Sequence, residues 1–190
     1  MNRTMQSIAT AITLAALCLS PALTACGANV SMTGSRCTGS DSQTRYDWPW
    51  YDSIDDLGAS ADVIVRARIA SCARPKPGDT GYDTLITLDT ISAVTGGGEA
   101  SGDAVPRAGD AVAVHGYTAK ASGAGELTVG DEYVFFLAHY DDGTYAQLTP
   151  ALSTFPVTDA AKRNPAASAN ADGSLRLTDD LADRLGLAGA

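Results

Sequence analysis

The chain has 190 residues, with 13 Lys and Arg against 22 Asp and Glu, giving a formal net charge of −9. That balance argues against nucleic acid and anionic lipid head groups as partners; it serves solubility or suits a cationic partner. Four Cys and two His, with no CxxC and no clustered His, exclude the common zinc frameworks.

Residues 1–25 have the layout of an export signal. Arg3 supplies the positive start, Ile8 to Leu19 form an apolar run, and Pro21 breaks it before a series of small residues. The run is too short for a retained membrane span, which takes about 20 apolar residues. Leu23-Thr24-Ala25-Cys26 resembles a bacterial lipobox, so Cys26 is expected to carry diacylglycerol as a thioether, with palmitate-type chains. Cysteine suits this because its thiolate is the nucleophile that takes the lipid. Each buried acyl CH₂ contributes roughly 0.8 kcal/mol, and two chains anchor where one would not. The alternative is ordinary secretion with cleavage after Ala25, which leaves Cys26 a free thiol. Loss of Arg3 with the signal takes the net charge to −10.

Cys18 leaves with the signal and Cys26 takes lipid, so Cys37 and Cys72 remain as a disulfide in a compartment where disulfides persist. The chain-entropy model gives such a bridge about 3–4 kcal/mol. Residues 26–45 are polar and Gly/Ser-rich and read as a flexible tether in which only Cys37 is fixed. Residues 46–190 form the folded domain, which starts with Tyr46, Trp48, Trp50 and Tyr51. Trp48 and Trp50 are candidate ligand-facing aromatics, a stacking platform for a sugar or peptide. The competing reading, preferred here, buries them over one end of the core, with Pro49 suiting a crossing segment. It predicts a cost of about 3–5 kcal/mol for Trp50→Ala. Ser53 with Asp56 resembles a capping box, so one or two helical turns should end near Gly58.

Strands follow. Asp62 to Ala73 alternates, with Val63, Val65, Ala67 and Ile69 on one face and Arg66 and Arg68 on the other. Thr84 to Val94 places Ile86, Leu88 and Val94 on one face. Residues 95–109 are a long Gly-rich loop, in which Gly96-Gly97-Gly98 reads as slack. Asp110 to Tyr117 points Val112 and Val114 inward. Tyr133 to Tyr140 contains VFFLA, which does not alternate, so both its faces should be covered. Asp141-Asp142-Gly143 is a hairpin turn to Thr144–Leu148, and Phe155–Thr158 continues the sheet. Residues 159–173 read as loop. Ser174–Thr178 is a last strand, and Asp179–Leu185 a closing helix capped by Thr178 or Asp179. The expected fold is mostly β: a small antiparallel barrel of five to six strands with short peripheral helices.

Four motifs carry a resemblance. They are Ala61-Asp62-Val63-Ile64-Val65, Val94-Thr95-Gly96, Gly109-Asp110-Ala111-Val112-Ala113-Val114 and Gly130-Asp131-Glu132-Tyr133-Val134-Phe135-Phe136-Leu137. Over about residues 54–158 the chain resembles small actinobacterial lipoproteins and secreted proteins, and OB-like barrels of the netrin/metalloproteinase-inhibitor type. The resemblance implies an OB-like barrel and no established activity. The inhibitors use a disulfide-bonded N-terminal cysteine. Here a lipidated Cys26 would stand at that place, so their mechanism does not carry over.

No G-x-S-x-G, H-E-x-x-H or P-loop is present. His115 and His139, on strands 24 residues apart, would make a metal site only with Asp110 or Asp141; hydrogen-bonded structural roles are preferred. Asp52, Asp55 and Asp56, or Asp141 and Asp142, lack the spacing of a calcium loop. The expectation is a non-enzyme without cofactor or metal. It is a lipid-anchored binding or interaction module on the extracytoplasmic face of the cell membrane, facing an envelope protein or cell-wall ligand. The alternatives are an envelope enzyme using the Gly-rich loop and aromatic segment, or an accessory subunit docking through Val134–Ala138.

Overall fold

The computed structural model describes residues 34–39, 47–79, 81–98, 104–117 and 123–187; residues 1–25, expected to be an export signal, Cys26 and Tyr46 lie outside them. Six strands form the sheet: β1 (Val63–Ala73), β2 (Thr84–Thr95), β3 (Ala111–Gly116), β4 (Glu132–His139), β5 (Tyr145–Gln147) and β6 (Thr154–Pro156). Around them lie α1 (Ile54–Ser60), α2 (Asp159–Arg163), a 3₁₀ turn (Pro165–Ala167) and α3 (Asp179–Arg184). Among the described residues no helix is long and apolar enough to cross a membrane.

The strand order β1-β2-β3-β5-β4 closes on itself, because β1 pairs with both β2 and β4. The barrel is mixed rather than antiparallel: β3 and β5 run parallel, Val114 opposite Tyr145 and His115 opposite Ala146. Parity requires this. Antiparallel neighbours reverse direction at every step, so a closed ring of five must contain a parallel pair. β5 and β6 lie in series along one edge of β4, β5 beside Leu137–His139 and β6 beside Tyr133–Phe135.

Two apolar cores result. The barrel interior holds Val63, Val65, Ala67 and Ile69 of β1, Ile86 and Leu88 of β2, Val112 and Val114 of β3, and Tyr133, Phe135 and Leu137 of β4. The outer core packs Ile64, Val134, Phe136 and Phe155 of the wall beneath Leu57 of α1 and Leu175, Leu177, Leu181, Leu185 and Leu187 of the C-terminal segment. The VFFLA run is therefore covered on both faces: Val134 to Leu137 are fully buried. Its side chains from Val134 to Leu137 offer no exposed apolar edge.

Local irregularities decide which side chains point where. Ala67 pairs with Thr90 and Arg66 with Ser92, so Ile91 is an extra residue in β2. The bulge flips the alternation: Ala93 packs on the barrel interior, and Val94 packs on the outer core instead of joining Ile86 and Leu88. A second bulge at Ala70 lets Cys72 turn toward the interior, where it is bonded to Cys37.

α1 has the expected cap. Ser53 Oγ accepts from the Asp56 amide at 3.0 Å and donates to the Asp56 carboxylate at 2.7 Å. α3 is capped by Thr178, as expected. α2 was not expected from its Ala-rich sequence; Thr158 caps it, accepting from the Ala161 amide. Residues 174–178 contribute one isolated bridge, Arg176 with Ala169, rather than a strand.

Gly96-Gly97-Gly98 is not slack. Their amides donate to the carbonyls of Asp62, Gly58 and Ala61 at 3.0, 2.9 and 2.8 Å. A Cβ on Gly96 would lie 2.0 Å from the Ala61 carbonyl oxygen. The three glycines let the end of β2 lie flat on the end of α1.

More than Cys37 is fixed in the segment read as a tether. Gly34 donates to the Val129 carbonyl at 2.7 Å, Val129 to Ser35 at 2.8 Å, and Cys37 to Leu127 at 2.8 Å. The Cys37–Cys72 disulfide locks this ribbon to β1. Thiol labelling of the unreduced, denatured protein is expected to find neither Cys37 nor Cys72 free. Cys37→Ala with Cys72→Ala should cost about 2–5 kcal/mol in urea unfolding. Two labelled thiols in the wild type would refute the bridge.

Candidate functional site

The chain gathers aromatic rings, half-buried Tyr82 and His115 and exposed Tyr140, where the β1–β2 and β4–β5 connections meet the outer face of β3. Inward Val112 and Val114 leave Ala113 and His115 outward, with His115 beside Leu85 of β2 and Ala146 of β5. Tyr82 precedes β2, at the end of a turn in which Lys76 N–H donates to the Asp79 carboxylate at 3.0 Å. Gly81 takes φ +92° there, a conformation open to glycine. Tyr82 and His115 stack at 4.0 Å, 4° from parallel.

Tyr140 comes from the other connection. The turn Asp141-Asp142-Gly143 reverses the chain as expected, with Gly143 at φ +81° and Tyr140 N–H bonded to the Thr144 carbonyl. The Tyr140 ring is 49% exposed and stands 6.4 Å from His115, tilted 38°. Trp48 joins from the N-terminal side, edge-on to Tyr117 at 4.5 Å. The Tyr117 hydroxyl donates to the Gly81 carbonyl, beside Tyr82, which ties the two ring groups together.

Two carboxylates flank the stack. Asp79 accepts from the Tyr82 hydroxyl at 2.9 Å; burial first, then this bond and the Asp79 charge, raise the Tyr82 pKa above its ordinary value. Asp142 accepts from the Thr144 hydroxyl at 2.6 Å and its amide at 2.9 Å. Those bonds hold its pKa below the usual carboxylate range, with a smaller lowering from nearby His115.

The sequence-selected residues fare differently. Trp48 is half-buried, but Trp50 is 63% exposed, so the expected burial of both rings fails at Trp50. Of the two rings flanking Pro49 one packs and the other faces solvent, and a ring this open carries little stability. His139 does not join His115: β5 lies between their strands, and the His139 ring sits 5.0 Å from Tyr145. Its amide donates to the Asp62 carboxylate at 2.8 Å. Asp110 accepts from the Arg107 amide in a turn, and Asp56 serves the α1 cap. No group of three or more His, Cys, Asp or Glu that could hold a metal ion occurs among the described residues. Tyr82, Tyr117 and Tyr140 were not singled out from sequence. The available signal was an aromatic placed directly beside turn chemistry, as in Tyr140-Asp141-Asp142-Gly143.

Three shallow depressions lie elsewhere. One of about 300 Å³ runs between α1 and α3, past Gly96 and Phe136; Arg184 and Asp180 on its wall pair with each other at 3.9 Å. One of about 340 Å³ adjoins the disulfide, between Arg36 and Arg74. The largest, about 660 Å³, lies along β3 beside Arg107, Asp110 and Tyr145. Each is open to solvent, and among the described residues none has a nucleophile hydrogen-bonded to a base on its wall. Compared with protein-family models and with curated proteins, the chain matches none.

Proposed function

We propose that this protein is a non-catalytic binding module of the cell envelope, lipid-anchored through Cys26 on the extracytoplasmic face of the membrane. The barrel's order β1-β2-β3-β5-β4, with β3 and β5 parallel, supports the finer reading of an OB-like fold. OB barrels bind ligands on the face of strands 2 and 3 and on the loops joining strands 1–2 and 4–5. The observation that carries the binding reading is the Tyr82–His115–Tyr140 cluster, whose three rings come from those same places. The acidic net charge sets aside the nucleic-acid ligands of that fold. The anchor rests on the export-signal layout and the lipobox.

Two experiments test the two halves. Cys26→Ala is expected to release the protein from the membrane fraction and abolish its detergent-phase partitioning; a variant as membrane-bound as wild type rejects the anchor. A photo-crosslinking amino acid in place of Tyr140 in the native lipoprotein should capture a ligand or partner. The same group in place of exposed Asp183 on α3 should not, and equal yields reject the face.

A further inference from the structure

We propose that the Tyr82–His115–Tyr140 face, with Asp79 and Asp142 at its margins, is a site for an organic cation of the quaternary-ammonium type. The proposal rests on reading this face as the working surface and goes on to name the ligand chemistry.

The rings supply the first reason. A cation is drawn to an aromatic face within about 6 Å of the centroid. His115 and Tyr140 have centroids 6.4 Å apart and are tilted by 38°, close enough for one cation to lie within that reach of both rings. Half of Tyr140 is open to solvent, so a ligand reaches it without displacing the fold.

Charge supplies the second. Ion pairs among the described residues join Arg36 to Glu126, Arg66 and Lys162 to Glu132, and Arg184 to Asp180. None involves Asp79, Asp141 or Asp142. Lys76 shares the Asp79 turn but meets that carboxylate through its backbone amide. Among the described residues these three carboxylates thus have no ion-pair partner, on a chain of net charge −9. An anionic ligand would be repelled, and a neutral sugar would gain nothing from these charges.

The kind of cation follows from what the site offers. A hard metal ion needs several free oxygens at short range, and no such group is present among the described residues. Asp79 and Asp142 already accept two hydrogen bonds each. A methylated ammonium needs none: it is weakly hydrated, presents a greasy positive surface, and is satisfied by ring faces with charge nearby.

The test titrates the detergent-solubilised full-length protein with choline and with 3,3-dimethylbutan-1-ol, its neutral isostere, by calorimetry. Choline is expected to bind saturably and the isostere at least about tenfold more weakly. Tyr140→Ala and Asp142→Asn should each weaken choline binding by about three- to tenfold, with unchanged melting temperatures showing that the fold is kept. Phosphatidylcholine vesicles form a further arm: competition by them assigns the trimethylammonium group to a lipid headgroup, and its absence to a free solute. Equal affinity for the isostere, unchanged binding by both variants, or no saturation by tens of millimolar choline overturns the cation site. Crosslinking at position 140 to a neutral ligand would also overturn it while leaving the face itself intact; no crosslinking at all removes the face.

Discussion

Glu132→Ala is expected to lower stability by about 3–5 kcal/mol, the penalty for leaving a buried charge without its partner. Glu132 and Arg66 are paired at 2.5 Å with side chains 10% and 7% exposed. The guanidinium is further committed beneath the C-terminal segment, where it donates to the carbonyls of Leu185 and Gly186. Ser92 Oγ donates to the same Leu185 carbonyl at 2.6 Å, and Lys162 stands 3.7 Å from the other Glu132 oxygen. Removing the carboxylate leaves the guanidinium with only backbone carbonyls as partners in a space that is nearly closed to solvent. In a chain of this size the melting temperature should fall on the order of 10 °C. The double variant Arg66→Met/Glu132→Leu should recover most of that loss, because two apolar side chains need no charge partner. A loss under about 1 kcal/mol for Glu132→Ala would show the pair to be solvent-screened, like a surface pair.

Phe136→Ala is the second large effect, also about 3–5 kcal/mol. The ring is fully buried in the outer core and meets Phe155 at 5.5 Å and 57°. Around it Leu57 of α1 and the leucines of the C-terminal segment close the layer, so little can move in to fill the space. Urea unfolding of Phe136→Ala, Phe155→Ala and the double variant separates packing from a general loss of apolar area. Two rings sharing one cavity should cost less together than the sum of their separate losses, by at least about 0.5 kcal/mol. Strict additivity would contradict a jointly packed outer core.

The features legible in the sequence have local causes. Ser53 and Asp56 announce a helix start, Asp141-Asp142-Gly143 a reversal, and Val134-Phe135-Phe136-Leu137 a strand with no exposed side. Cys37 and Cys72 were legible as a pair on the expected processing, and the two are bonded in the fold. The features that were not legible are set by distant partners. Arg66 alternates like a surface residue, yet it is buried because Glu132, 66 residues away, and two C-terminal carbonyls receive it. Gly96 looks like slack until the backbone of Ala61 comes within 3 Å of its Cβ position. Bulges at Ala70 and Ile91 flip the alternation without a glycine or proline to mark them. The candidate site was partly legible: His115 was singled out as a strand histidine. Its stacking partner Tyr82 and the adjacent Tyr140 lie in connections that only barrel closure brings together. The odd strand count likewise appears only when the ring closes, and with it the parallel pair.

The outer core also fixes an order of events during synthesis. It joins Leu57, early in the folded domain, to Leu187 at the far end of the described chain. Until Leu175 to Leu187 have left the ribosome, Val134 and Phe136 have only part of their cover, from Leu57 and Phe155. A nascent chain therefore cannot complete this layer until its last described turn has been made, and a long-range contact of this kind forms late.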